Sequence, residues 1–217
     1  MRAGRCATAW RRRASLACMG SPETSSEVPA EAPALDKFGR QIGDLRLSVT
    51  DRCNLRCVYC IPEETPEFQP REELLTFEEM TRVAGLFTRL GVRKIRLTGG
   101  EPLLRRELPK LVAQLSGLPR VEDLAMTTNG TRLVEQMDAL VSAGLQRINI
   151  SLDTLRPDRF RQMAQRTGLE TVLGAIRAAQ TSKLAPVKVN VVAMKGFNDD
   201  EIVDFGRFAR DTGAIVR

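Results

Sequence analysis

Cys53, Cys57 and Cys60 stand four and three residues apart in "TDRCNLRCVYC" (50–60), in a chain with five cysteines and no histidine. Three sulfurs so close together have few uses. Disulfide pairing leaves one thiol over and suits an oxidising compartment. Structural zinc takes four ligands, usually Cys or His, and beyond residue 20 the sequence offers no other residue of either type. Simple burial stays open, because positions i, i+4 and i+7 share one helical face. Against it, polar residues such as Asn54 and Arg56 stand between them and Pro62 follows at once. An iron–sulfur cluster fits the count: four thiolates complete a four-iron cubane, whereas three leave one iron open to a substrate or cosubstrate.

The elements that must position this triplet alternate in kind. A strand pattern, "LRLSVT" (45–50), comes just before it, and "TFEEMTRVAGLFTRLG" (76–91) reads as a helix. In that helix Thr76 and Glu79 form a capping box, Met80, Val83, Ala84, Phe87 and Leu90 form one apolar stripe, and Gly91 marks the stop. Further strands are expected at 94–98, 122–129, 147–153 and 187–193, and helices near 105–116, 131–144, 157–165 and 169–181. A last helix is expected to be capped by Asn198 with Glu201, before "AIVR" (214–217). Repeated β-then-α order predicts a parallel sheet with right-handed crossovers.

Strand phase narrows the architecture. Leu45, Leu47 and Val49 alternate with Arg46, Ser48 and Thr50, and Ile95 and Leu97 alternate with Arg96 and Thr98. Ile148, Ile150 and Leu152 likewise alternate with Arg147, Asn149, Ser151 and Asp153, as Val187, Val189 and Val191 do with Lys188 and Asn190. A sheet covered by helices on both faces has near-continuous apolar strands instead. Here one face meets helices and the other is polar, which contradicts the packed interior of a closed eight-strand barrel. The expectation is an α/β fold, an incomplete (βα)6-type TIM-like barrel with a ligand-sized lumen. Arg46, Arg96, Lys188 and Arg147 then converge, and buried cations demand an anion, for which phosphates are the natural candidate. Solvated strand charges are the alternative.

Composition bounds the rest. The pI of about 9.4 suggests a nucleic-acid partner until the charges are located. Residues 1–20 hold five arginines and no acid, and removing them leaves 28 basic against 27 acidic residues. That leader lacks a continuous apolar run and suits a mitochondrial presequence, with a basic tail on a cytoplasmic protein as the alternative. Residues 21–36, with four acids and three prolines, read as a disordered linker, and the barrel domain is assigned to 37–217. The sole tyrosine and a leader tryptophan give no stacking array, so no nucleic acid is expected. No apolar run is long enough to span a bilayer, so no membrane is expected either.

The triplet, with Tyr59 before its last cysteine, resembles the signature of the radical S-adenosylmethionine enzymes, and "TGGEP" (98–102) resembles their Gly-Gly-Glu-Pro motif. "DLRLSVTDRCNLRCVYC", "KIRLTGGEPLLRR", "TTNG", "INISLDTL" and "VKVNVVAMKGFND" together resemble the molybdenum cofactor biosynthesis protein A family, the GTP 3′,8-cyclases, over residues 38–217. The resemblance implies a [4Fe-4S] cluster on Cys53, Cys57 and Cys60, and S-adenosylmethionine against Tyr59, Gly100 and Ser151. It implies GTP contacts at Arg46, Arg96, Thr127 and Lys188. The implied chemistry cleaves S-adenosylmethionine reductively, takes the 3′ hydrogen of the GTP ribose and joins that carbon to guanine C8, the cofactor doing the hard step. A reductant for the cluster is then required.

Family members are longer and carry a second cluster on three further cysteines whose counterparts are absent here. The sequence accordingly reads as a fragment or short isoform ending within the sixth strand. Its unfinished edge invites pairing with a second copy or a full-length partner. Residues 38–217 are expected to hold the first cluster and S-adenosylmethionine, but to bind GTP weakly and cyclise it poorly. The alternatives are a radical enzyme with another substrate and a non-catalytic regulatory form.

Overall fold

The computed structural model describes residues 32–60 and 68–217. The expected presequence, most of the linker and Pro62 lie outside them. The strands are β1 (Asp44–Ser48), β2 (Lys94–Thr98), β3 (Asp123–Thr128), β4 (Arg147–Ser151), β5 (Lys188–Asn190) and β6 (Ile215–Val216). Between them run the helices α1 (Phe77–Arg89), α2 (Leu108–Ser116), α3 (Leu133–Ser142), α4 (Pro157–Ala164), α5 (Leu169–Gln180) and α6 (Ile202–Thr212). All strand pairs are parallel, in the order β1-β2-β3-β4-β5-β6, and β1 does not pair with β6. The sheet is therefore an open barrel, as the strand phase predicts.

One phase of each strand faces the helices. Ile95, Leu97, Leu124, Met126, Ile148 and Ile150 are buried there. They meet helix residues such as Leu111 and Leu115 of α2 and Val172 and Ile176 of α5. Burying each such side chain contributes about 1.5–3 kcal/mol, so this layer fixes the register of the whole sheet. The α1 capping box is present: Thr76 accepts from the Glu79 N–H, and the Glu79 carboxylate accepts from the Thr76 N–H.

Three expectations need correction. The helix near 105–116 begins at Leu108, after a separate 3₁₀ turn at Pro102–Leu104, with Pro109 in its first turn. The strand expected over 187–193 is confined to Lys188–Asn190: the Val191 N–H still donates to the Arg217 carbonyl, but the Val192 N–H is taken by the Asp153 carboxylate. The Asn198–Glu201 cap does not form. Asn198 is buried, accepting from the Met194 N–H and donating to the Asp153 and Val192 carbonyls. The buried Glu201 carboxylate accepts instead from Thr154 Oγ1, the Leu155 N–H and Arg159.

Candidate functional site

The cysteine loop crosses the C-terminal ends of the strands. It leaves β1 at Val49, whose N–H donates to the Thr98 carbonyl. Gly100 N–H then donates to Thr50 O, and Glu101 N–H to Arg52 O, both at 2.7 Å. This close approach explains the two glycines: a Cβ on Gly99 would lie 2.5 Å from Thr50 O, and one on Gly100 2.3 Å from Arg52 O. On the far side Arg56 and Val58 N–H donate to the Ala164 and Met163 carbonyls at the end of α4. In the middle Asn54 donates to Thr131 Oγ1 at 2.9 Å and accepts from Asn129 Nδ2 at 2.9 Å.

Glu101 anchors this arrangement from below. Its carboxylate is fully buried and accepts from Leu103 N, Thr128 Oγ1 and Asn129 N. Burial raises its pKa against the pull of those three bonds. The Gly-Gly-Glu-Pro turn after β2 is thereby fastened to the Thr-Thr-Asn-Gly turn after β3.

All three candidate ligands are free thiols, Cys53 and Cys57 half-buried and Cys60 exposed. Burial, then the charges of Asp153 and the other two cysteines, pushes Cys57 up to about 11. Burial also raises Cys53, against the Leu55 N–H that donates to its sulfur at 3.4 Å. No His, Cys, Asp or Glu trio among the described residues is gathered closely enough for one metal ion. A cubane makes a different demand, since each thiolate holds a separate iron and the sulfurs stand apart around it. Three thiols on one loop, with an N–H aimed at a sulfur, fit that group.

The residues assigned to S-adenosylmethionine by resemblance also lie at this mouth. Gly100 caps β2, and Ser151 ends β4 in register with Asn190. Tyr59 donates a short hydrogen bond to the Asp153 carboxylate, whose other oxygen holds Val192 N. Burial, then that carboxylate, raises the Tyr59 pKa and keeps it a neutral donor.

The cations lie deeper. Arg46 and Arg96 are register partners, in line with Ala125 and Arg147. Thr127, Asn149 and Lys188 form the next row toward the mouth. Two residues of strand separate the rows, about 7 Å at 3.3 Å per residue. Beneath them a cavity of about 300 Å³ is lined by Asp44, Arg46, Lys94, Arg96 and Asp123. Burial, then Arg46, Arg147 and Arg217, lowers the Arg96 pKa. Burial, then Arg147, Arg217 and Arg96, lowers that of Lys188. Arg96 Nη1 is buried and has no hydrogen-bond partner among the described residues. The convergence expected from phase is present, but not the burial of all four: Arg46 and Arg147 are exposed, Arg96 and Lys188 half-buried, and Arg147 is paired with Asp123, Nε to Oδ1 at 2.8 Å, while its charge still bears on Arg96 and Lys188.

Sequence reasoning assigned no role to Glu101, Asn129 or Asn54, and it missed Arg217. Glu101 and Asn129 lie inside quoted motifs, but no spacing says that Asn129 reaches a loop 76 residues earlier.

Together fold and site define an open α/β barrel that carries its reactive groups on loops at the C-terminal strand ends, above a cationic lumen. Residues 47–209 match the radical SAM superfamily. The chain belongs to that superfamily. It is 54% identical over 190 residues to the GTP 3′,8-cyclase of Acidothermus cellulolyticus, covering 85% of this chain and 52% of that protein. It is 47% identical over 189 residues to the mitochondrial GTP 3′,8-cyclase of Arabidopsis thaliana, covering 87% of this chain and 48% of that one. The chain spans about half the length of these curated relatives. Streptococcus suis SuiB bound to S-adenosylmethionine shares the fold, with a TM-score of 0.61 at 18% identity over 79% of this chain and 38% of SuiB.

Proposed function

We propose that this chain forms the cluster- and cosubstrate-binding barrel of a GTP 3′,8-cyclase, acting in the first step of molybdenum cofactor biosynthesis. The product is (8S)-3′,8-cyclo-7,8-dihydroguanosine 5′-triphosphate. The observation that carries the reading is the lumen: Arg46 and Arg96 line one cavity, the charge of Arg96 bears on Lys188 in the next row, and Arg96 Nη1 is buried without a hydrogen-bond partner among the described residues. A half-buried guanidinium of this kind is stabilised by an anionic group with several oxygens, as a phosphate chain has.

Cys53, Cys57 and Cys60 hold a [4Fe-4S] cluster, and among the described residues no fourth cysteine competes for the remaining iron. Cluster and S-adenosylmethionine, when bound, supply one-electron chemistry able to take a hydrogen atom from a sugar carbon. Gly100 and Ser151 line the cosubstrate, and Tyr59, held by Asp153, borders it. Arg46, Arg96 and Lys188 neutralise the phosphates, and Thr127, in the Lys188 row, offers them a hydroxyl. Phosphates anchored deep in the lumen place the ribose nearer the mouth, where the cosubstrate lies. The electron comes from an external reductant. A second cluster would take its ligands from outside these 217 residues, since only Cys6 and Cys18 remain. The five-arginine leader and the Arabidopsis relative named mitochondrial support a mitochondrial location.

The test is anaerobic reconstitution with iron and sulfide, followed by binding of GTP and guanosine. R96M should weaken GTP about tenfold, the loss of one charge-assisted contact, and leave guanosine unchanged. The triple variant C53A/C57A/C60A should lose iron yet retain GTP binding. Equal affinity of the wild type for GTP and guanosine would sink the reading. So would deoxyadenosine formation with dithionite that GTP does not affect, which would point to another substrate.

A further inference from the structure

Asn129 of the Thr-Thr-Asn-Gly turn stays without a role in the reading above, yet it is the one side chain outside the loop that reaches a cysteine sulfur by a hydrogen bond among the described residues. Asn129 Nδ2 lies 3.9 Å from Cys53 Sγ and 2.9 Å from Asn54 Oδ1, so one amide nitrogen serves both. Nothing about its placement is loose. The Asn129 N–H donates to Glu101 Oε2 at 2.7 Å, and its Oδ1 accepts from both the N–H and the hydroxyl of Thr131, at 3.0 and 2.7 Å. With its oxygen occupied twice, the amide cannot flip, and its NH₂ faces the sulfur and Asn54. Gly130, at φ 78°, lets the chain turn directly after it. Glu101 is fully buried, so the arm that aims Asn129 is anchored in the core.

An N–H donor at a thiolate withdraws electron density from the sulfur and stabilises added negative charge. Hydrogen bonds to the sulfurs are among the determinants of iron–sulfur reduction potentials. We propose that Asn129 is a positioning residue that orients the Cys53 thiolate and raises the reduction potential of the cluster, and that Asn54, which takes the other N–H of that NH₂ group at 2.9 Å, restrains this effect by holding the nitrogen 3.9 Å from the sulfur. The inference rests on the cluster half of the proposed function and is independent of GTP. One electron enters the cluster from the reductant, with no bond made or broken, and Asn129 changes the position of that equilibrium.

The experiment titrates the 217-residue chain, reconstituted anaerobically, with dithionite at fixed solution potential, and reads reduced against oxidised cluster by electron paramagnetic resonance, with iron counted in parallel. N129A should lower the reduced-to-oxidised ratio about tenfold, which is 59 mV for a one-electron couple. N54A removes the competing acceptor and should raise the ratio. A purely structural role moves both variants in one direction, so opposite signs support the assignment. Unchanged ratios at full iron content overturn it, as does a shift of the same sign in both. Should N129A hold no iron, N54A decides alone: a rise supports the assignment, and no change or a fall overturns it. Wild-type protein without iron overturns the cluster reading itself, which separates the two failures.

Discussion

The mouth and the lumen of this barrel are built on opposite principles. At the mouth the cysteine loop is tied to β2 by Gly100 and Glu101 N–H, to β3 through Asn54 and Asn129, and to α4 through Arg56 and Val58. Its exceptions are Asp51 Oδ1 and Arg52 Nε at the start of the loop, buried without a partner among the described residues. In the lumen Arg46 and Arg217 bear on Arg96, and Arg217 and Arg96 on Lys188, with few acids to offset them, and Asp123 is engaged by Arg147. The mouth is preorganised before anything binds. The lumen carries a standing electrostatic cost that an anion relieves. A loop holding a cluster needs fixed geometry, whereas a substrate site gains affinity from unsatisfied charge.

That contrast predicts opposite signs for substitutions in the two regions. The largest effect belongs to the mouth. G100A places a methyl group 2.3 Å from Arg52 O, and the backbone that must yield also carries the Gly100 and Glu101 hydrogen bonds. The expected loss is about 2–4 kcal/mol, read as a lower denaturant midpoint with unchanged slope, together with reduced iron uptake. A stable G100A with full iron would mean that the glycine approach is incidental.

In the lumen the expected sign reverses. R96M keeps an apolar stem and removes a half-buried charge that sits among three others. The ligand-free protein should gain about 1 kcal/mol, while affinity for GTP falls. Wild type should be stabilised by inorganic triphosphate through binding to the native state alone, and R96M much less. Destabilisation of R96M without ligand would show that the lumen cations are already compensated.

The same division separates what the sequence revealed from what it concealed. Ile95 and Leu97 against Arg96 is a period-two signal carried by neighbouring residues, so the two faces, and hence the cationic lumen, were legible. Thr76 with Glu79 was legible for the same reason, since both partners of the cap lie within one turn. Asn198 with Glu201 shows identical spacing, but Asn198 reaches Asp153, 45 positions away, and Glu201 reaches residues 42 to 47 positions away, which local spacing cannot report. β5 stops at Asn190 although apolar alternation continues, because Asp153 claims Val192 N. Asn129 was hidden most thoroughly, for its relation to Cys53 exists only once β1 and β3 are in register. Chemistry carried by residue type and short spacing could be read, and chemistry carried by tertiary hydrogen bonds could not.

The smallest expected effect tests whether the lumen cations act as one group. Burial and the charges of Arg147, Arg217 and Arg96 lower the Lys188 pKa, so the folded protein releases this proton more readily than the unfolded chain. In the window between the lowered value and the ordinary lysine pKa of about 10.4, the unfolded state holds the proton and the native state does not, so this group makes stability rise with pH. Binding follows the opposite course: as Lys188 loses its charge, affinity for a triphosphate falls. K188M should remove both slopes, and R96M should shift both toward higher pH by withdrawing one of the charges that depress Lys188. Denaturant midpoints and triphosphate titrations of the three proteins across that window check this, and a Lys188 slope that R96M leaves in place would mean that the two cations titrate independently.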